Sequence, residues 1–482
     1  MSIAPSKYAL TVAFERNCAR AGYEAMKEGG PSLELRSKFV EGNVVDAKAQ
    51  DVLFFDGDTI PYSKKIQISL NATSAQFKDT GVTRINQPTL KTPRDEIIRL
   101  DSLERTETGW NNDEVKSGLS VKDKYRFDAL ISTDRATRAG VNIEETRIIH
   151  INKEWRLGDS EDELFKIQDI TESIVDPVMI QFLEETSAIL LEGFRPPAEL
   201  VRGCWGCPFF PKCFQNPINP ITVLKRMKPE GIAKLREQGI VDVSDIPDDF
   251  KLTPKQSEHV ELIQAGCPVV NEDGLKAELA KLEEPIHHLD FESIAFAIPL
   301  HSDVAPWGQV ASQYSIHIET STGLEHREFL CEAEGDQRRV LAEMLIEDIG
   351  YSGSIMVWNA SFERKRIEEM AELFSDLAPQ LEAIVPRLVD LWPIVRKNVL
   401  HPDFKGSYSL KSVFPVLVPG LGYSDLDISG GGEAQGAMNL MVRNQIDTEE
   451  IPLLRERLLR YCERDTEATA GILQALREMV NP

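Results

Sequence analysis

The strongest constraint on this chain's fold is a set of four acidic residues spread over roughly its last 200 positions. Asp290 and Glu292 lie in IHHLDFES, Glu363 in VWNASFERKR, and Asp465 in LLRYCERDTEAT. IHHLDF is a short apolar, strand-like run, and at period two Asp290 and Glu292 share one face. SGSIMVWNASFE reads as a strand running into a turn, which places Glu363 at a strand end. LLRERLLRYCERDTEATAGILQALREM has helical periodicity, so Tyr461 and Asp465 stack one turn apart. Ordinary surface carboxylates are the alternative. If the acids converge, they repel one another unless divalent cations lie between them. Two such ions about 3.5–4 Å apart form a clamp for in-line phosphodiester chemistry.

Asp290-Phe291-Glu292, then Asn359-Ala360-Ser361-Phe362-Glu363, then Tyr461-Cys462-Glu463-Arg464-Asp465, resemble the three motifs of DnaQ-like 3′→5′ exonucleases. These are RNase H-fold enzymes of the DEDD type, here of the tyrosine subclass. The resemblance implies that Asp290, Glu292, Glu363 and Asp465 hold Mg²⁺ or Mn²⁺ and that Tyr461 orients the attacking water. Glu363 stands where the family usually has Asp, which lengthens that ligand by one methylene. Asp390, in RLVDLW, occupies a position where many relatives carry another acid.

With 482 residues the chain has room for two or three domains of roughly 100–200 residues each. A hydrophobic content of 42% with 27% charged residues describes an ordinary globular protein. No apolar run approaches the roughly 20 residues that cross a bilayer. The N-terminus lacks the basic start and apolar core of a signal peptide. The expectation is a cytoplasmic protein with no membrane partner. A net charge of −24 argues against phosphate-driven binding over the whole surface. Local basic patches would have to hold a nucleic acid: Lys122, Lys124 and Arg126; Lys225, Arg226 and Lys228; or Arg364, Lys365 and Arg366, directly after Glu363. A solvated charged face is the alternative for each.

Cys204, Cys207 and Cys213 form C-x2-C-x5-C, flanked by aromatics and prolines. Cys267, Cys331 and Cys462 read as packed free thiols. In a cytosolic protein such a cluster means metal or redox chemistry rather than disulfides. Three ligands are one short of a closed site, and Cys18 is the candidate fourth. A lone early cysteine with C-x2-C-x5-C at the end of a domain resembles the iron–sulfur nucleases of the RecB-like PD-(D/E)XK class. There a 4Fe–4S cluster staples the first and last parts of the domain together. Zinc on the same four cysteines, or thiols without metal, are the other readings.

That resemblance implies an active site between Cys18 and Cys204. EIIRLDSLERTETGWNNDEVKSG supplies its parts, with IIRLDSL strand-like, ETG a turn and DEVKS the next strand. Asp101 and Glu114 would bind a divalent ion, with the Val115 carbonyl as a further ligand. Lys116, sharing a face with Glu114, would position water and offset charge. Relatives often carry D-x3-Q on the following helix. Here Asp128 is followed by Ser132 in the glutamine's place. Glu41 and Asp46 are candidates for the upstream acidic ligand. This half would be a second nuclease, a slow or vestigial one, or a DNA-binding clamp.

The pairing resembles a bacterial family, known only as a domain of unknown function, that joins such an iron–sulfur half to a DnaQ-like half. The expected architecture is α/β and multidomain. Residues 1–216 would form a restriction-endonuclease-like mixed sheet. Residues 217–284 would be a small helical connector, akin to helix-hairpin-helix modules or a plain spacer. Residues 285–482 would form an RNase H-like mixed sheet flanked by helices. Gly406 to Lys411 would contact substrate or merely start a capped helix. Gly430, Gly431 and Gly432 read as a flexible turn. His287 and His288 read as strand packing. The expected partner is nucleic acid, DNA ahead of RNA, with a catalytically weak binding scaffold as the alternative function.

Overall fold

The computed structural model describes residues 5–27, 33–214 and 217–481. It is an α/β structure with two large mixed sheets, each flanked by helices. Strands β1 (Asp58–Thr59), β2 (Arg84–Asn86), β3 (Ser102–Arg105), β4 (Trp110–Lys116), β5 (Ile143–Ile151) and β6 (Phe165–Asp169) lie side by side in that order. The β1–β2 and β4–β5 pairs are parallel and the others antiparallel. The parallel step from β4 to β5 is made by the helix Asp123–Arg138, as a parallel pair requires a crossover. Phe127 on that helix stacks on Phe14 at 4.1 Å between ring centres.

WNNDEVK is too polar for an ordinary inner strand, yet every residue of β4 before Lys116 is buried. Burial of polar groups is tolerated only when each is paired. On one face Asp113 is held by Arg84 at 2.8 Å and Arg147 at 2.7 Å. The other face carries Glu114. IIRLDSL is not the single strand the sequence suggests. Ile97–Arg99 pairs with Thr89–Lys91 in a separate two-stranded ribbon, and β3 pairs with β4. Leu100 donates its N–H to Pro88 and Asp101 accepts from the Gln87 N–H, which turns the chain between the two ladders.

The second sheet has β7 (His287–Ile294), β8 (Val310–Thr320), β9 (Gly323–Leu330), β10 (Ile355–Val357) and β11 (Leu388–Asp390), in the order β9-β8-β7-β10-β11. β7 is central, antiparallel to β8 and parallel to β10. The 30-residue helix Ile451–Val480 packs beside it through Leu454, Leu458, Tyr461, Asp465, Ala468, Ile472 and Leu476, all buried. That stripe has helical spacing, and its only acid is Asp465.

Between the sheets a smaller core runs from Leu200, Cys204 and Phe210 to Val260 and Ile263. It draws on both sides of position 216, and residues 215–216 themselves lie outside the described residues. Two helices, Pro229–Glu237 and Pro254–Ala265, each begin with proline, whose fixed φ suits a first turn.

Contacts also tie the two sheets together. The buried Glu41 receives Arg443 at 2.8 Å and accepts the Ala297 N–H at 2.9 Å. The Trp307 indole donates to the Ser117 carbonyl at 2.6 Å. Gly430 caps the helix Gly431–Val442, so the glycines begin a helix rather than form a flexible turn. A Cβ on Gly436 would stand 2.8 Å from the Glu34 backbone, and only glycine permits that approach.

Candidate metal centres

β7 directs Asp290 and Glu292, and the long C-terminal helix directs Asp465, so that one oxygen from each lies within 4.8 Å of the others. Burial and the Asp465 charge push both Asp290 and Glu292 well above the usual carboxylate range. Burial raises Asp465 to about 6, opposed by hydrogen bonds and by Lys411. Tyr461 lies one turn before Asp465 and faces all three acids, while Tyr423 donates its hydroxyl to Asp465. Lys411 sits over both rings, 5.1 Å from Tyr461 and 5.3 Å from Tyr423. The Cys462 thiol packs against Asp290 Oδ2 at 3.6 Å.

Glu363 lies in the first turn of the helix Ser361–Leu373 rather than at the strand end. Asn359 makes the intervening turn in the left-handed region at φ +73. Glu363 is outside the 4.8 Å group. It is buried, its Oε2 has no hydrogen-bond partner, and burial raises it to about 8. Asp390 has a different task. It accepts the N–H groups of Asn359 at 3.0 Å, Ala360 at 3.1 Å and Trp392 at 3.0 Å. It therefore staples the turn before Glu363 and caps the helix Leu391–Asn398. Hard oxygen donors gathered around like charge, with one unpartnered buried oxygen alongside, are a donor set that fits Mg²⁺ or Mn²⁺.

The first sheet gathers the other predicted acids differently. Glu114 Oε1 meets Lys7 at 2.6 Å and Lys116 at 2.7 Å, and Oε2 accepts from Ser132 at 2.9 Å. Asp128 binds Lys7 at 3.1 Å and also Lys116, and the lysines hold it below the usual range against burial. Asp101 accepts the Val115 N–H at 2.8 Å; burial and Glu114 push it well up. Asp46 faces the same group and is raised by burial to about 6. Of the two upstream candidates, Asp46 joins the cluster, whereas Glu41 is the clasp to Arg443. These oxygens would suit a divalent ion only after the lysines yield them.

Cys18, Cys204, Cys207 and Cys213 line one small cavity walled by Phe209, Phe210 and Phe214. The Cys204 sulfur accepts the Val201 N–H at 3.4 Å, and backbone N–H groups of Ala21 and Arg20 face Cys18. Burial raises Cys204 to about 11 and also lifts Cys18 and Cys213. Four sulfurs, that of Cys204 buried and the others half-buried, beside three phenylalanines are a donor set for a soft metal centre. Of the other thiols, Cys331 and Cys462 are packed as expected, but Cys267 is exposed.

The basic patches also separate. Lys124 pairs with Glu15 and Arg126 with Asp123. Arg366 is buried and held by Glu369 at 2.8 Å over the Phe362 ring. Sequence reasoning missed Lys7, Tyr423 and a group of His317, His326 and Glu463 within 4.8 Å of one another. Lys7, Tyr423, His317 and His326 have no motif around them, and Glu463 lies inside the Tyr461–Asp465 motif without being one of its marked positions. Lys411 did have a signal, in GSYSLK. His288 is packed as expected, against Glu319 at 3.2 Å.

Residues 287–409 match a family model described as a Domain of unknown function (DUF2779). The match takes in Asp290, Glu292, Glu363 and Asp390 and stops before Tyr461 and Asp465. Uncharacterized protein MG366 of Mycoplasma genitalium is 26% identical over 221 residues, which cover 42% of this chain and 33% of that protein. Uncharacterized protein UU173 of Ureaplasma parvum serovar 3 is 25% identical over 227 residues, covering 42% of this chain and 32% of that protein. The chain thus spans about a third of the length of these curated relatives. No described helix is long and apolar enough to cross a membrane.

Proposed function

We propose that this chain is a metal-dependent nuclease that removes nucleotides from a 3′ end, DNA being the first expected substrate. The observation that carries this reading is the convergence of Asp290, Glu292 and Asp465 within 4.8 Å. The 285–482 region is read as an RNase H-like exonuclease unit of the DEDD type, and the first sheet as a RecB-like PD-(D/E)XK unit. Asp290, Glu292 and Asp465, with Glu363 alongside, would hold Mg²⁺ or Mn²⁺, which supplies charge neutralisation and lowers the pKa of water. Tyr461 orients the attacking water from its place one turn before Asp465. Lys411, exposed beside Glu292 and Asp465, meets the scissile phosphate.

Cys18, Cys204, Cys207 and Cys213 would hold a 4Fe–4S cluster, which supplies a covalent staple between the start of the chain and residue 213. Among the described residues these sulfurs are not drawn within 4.8 Å as the three carboxylates are. Tetrahedral zinc, with Zn–S bonds of about 2.3 Å, would hold them closer. The long gap in sequence to Cys18 and the shell of Phe209, Phe210 and Phe214 favour the larger centre.

A clamp role for the first sheet is the second reading, favoured by one observation: Lys7 and Lys116 already occupy Glu114 and Asp128. The test uses 5′-labelled single- and double-stranded DNA and RNA with Mg²⁺ or Mn²⁺. Wild type would be run beside Asp290→Ala and Lys116→Ala, with iron and sulfide assayed on the same protein. A ladder shortening from the 3′ end, lost in Asp290→Ala and kept in Lys116→Ala, is expected. Loss only in Lys116→Ala moves the chemistry to the first sheet. No cleavage by wild type leaves a nucleic-acid-binding scaffold.

A further inference from the structure

A large groove opens between the connector and the C-terminal unit, and its lining is mainly basic where it is charged. Lys225, Arg226 and Lys255 line one wall, and Arg396 and Lys397 the other. Glu258 is the one acid on its lining. In a chain of net charge −24 most basic side chains would be expected to have found a carboxylate. Among the described residues none of these five forms an ion pair.

Local structure explains only part of the arrangement. Arg396 and Lys397 close the helix Leu391–Asn398, where the helix dipole favours cations. Lys255, however, stands in the first turn of Pro254–Ala265, where that dipole opposes a cation. Five like charges turned into one concavity repel one another and remain uncompensated unless an anion enters. The two walls are held in register where Gly406, at φ +67, passes against His259; a Cβ there would stand 2.3 Å from the imidazole. The groove floor then continues through Tyr408 into the helix Leu410–Leu417, whose first turn carries Lys411. Three residues of chain span at most about 11 Å, so the Tyr408 edge of the groove lies within that reach of Lys411, whose charge acts on Glu292 and Asp465.

We propose that this groove binds the phosphate backbone of a single nucleic-acid strand and feeds its end past Lys411 to the acidic site. The inference rests on the nuclease reading for what happens at the end of the path, but not for the binding itself. His259, His401 and Tyr408 on the lining provide flat faces on which unpaired bases stack. Arg396, 4.7 Å from the Trp392 ring, is itself held in place by that ring.

The test measures fluorescence anisotropy of a labelled single-stranded oligonucleotide in EDTA across a salt series. The full chain would be compared with Lys225→Glu/Arg396→Glu/Lys397→Glu and with the milder Lys225→Gln/Lys397→Gln. Hydrolysis of thymidine 5′-monophosphate p-nitrophenyl ester, too small to enter the groove, is followed on each with Mn²⁺. The triple variant should bind at least about tenfold more weakly, each lost cation flattening the salt slope by about 0.7–1. The double variant should fall between, and ester hydrolysis should stay at the wild-type rate in both. Unchanged affinity and slope in both variants would overturn the groove, as would a wild type that binds no oligonucleotide. Poly-glutamate displacing the oligonucleotide at equal charge would overturn it too, in favour of an acidic protein partner. Groove-dependent binding with no ester hydrolysis by wild type would leave the groove standing and remove the nuclease reading.

Discussion

Each large sheet carries a knot of buried carboxylates, and the two are neutralised by opposite means. Beside β4, Glu114 and Asp128 share Lys7 and Lys116 at salt-bridge distance. Beside β7, Asp290, Glu292 and Asp465 form no ion pair among the described residues, and Lys411 acts on them only from further off. A site compensated by its own lysines keeps its shape without help. One built from acids alone is held under internal repulsion until a cation arrives. The same residue type thus lies among lysines in one sheet and among like charge in the other.

The sharpest way to break this contrast is catalytic. Asp290→Asn should lower 3′-end hydrolysis by about 10²–10³-fold, the scale of losing one group that stabilises transition-state charge. Labelled-oligonucleotide kinetics read it, and an active Asp290→Asn would end the comparison.

Stability should separate the sheets by sign. Glu114→Ala leaves Lys7 and Lys116 facing Asp128 alone, and breaking a buried pair costs about 3 kcal/mol. Asp290→Asn, in chelator, removes a repelled charge and should instead stabilise by about 1 kcal/mol. Urea denaturation of both variants decides whether the signs differ. Adding Mg²⁺ should raise the melting temperature of wild type, since an ion binding only the folded state stabilises it. The rise should shrink in Asp290→Asn.

The smallest effect is the pH dependence of the metal-free protein. Glu363, about 8 in the fold, and Asp465, about 6, both lie above their unfolded values. Groups raised in this way bind protons more tightly when folded. They therefore contribute stability below about pH 4 that is lost as pH rises through 6 and 8. Asp128, lowered by its lysines, works the other way and loses its contribution in acid. Melting curves in chelator from pH 5 to 8 should fall for wild type, and flatten in Glu363→Gln.

The second sheet was the more legible in sequence, because its ligands sit on elements with clean periodicity. Alternation in HHLDFESI and a 3.6-residue stripe around Tyr461 and Asp465 are local signals, and the fold only had to bring them together. Glu363 shifted from strand end to helix because Asp390 ties down the turn before it, a partner 31 residues away. β4 was harder. DEVKS reads as a strand, but the burial of WNNDEVK depends on Arg84, Arg147, Lys7 and Ser132, all distant in sequence. Nothing near Lys7 or Tyr423 marks either residue. The glycines at 430–432 looked flexible because the helix they pack against, Leu33–Val52, is some 400 positions earlier.

The clasp of Glu41 on Arg443, with Ala297 and the Trp307 indole seated against the first sheet, bears on how this gene can be divided. A boundary drawn at 284 falls between motifs, yet each fragment would carry an exposed scar. One would end with Glu41 unanswered, and the other would present Ala297, Ile298 and Trp307 to water. Fragments cut there would be expected to aggregate, so dissection of the two sheets calls for point substitutions in the intact chain.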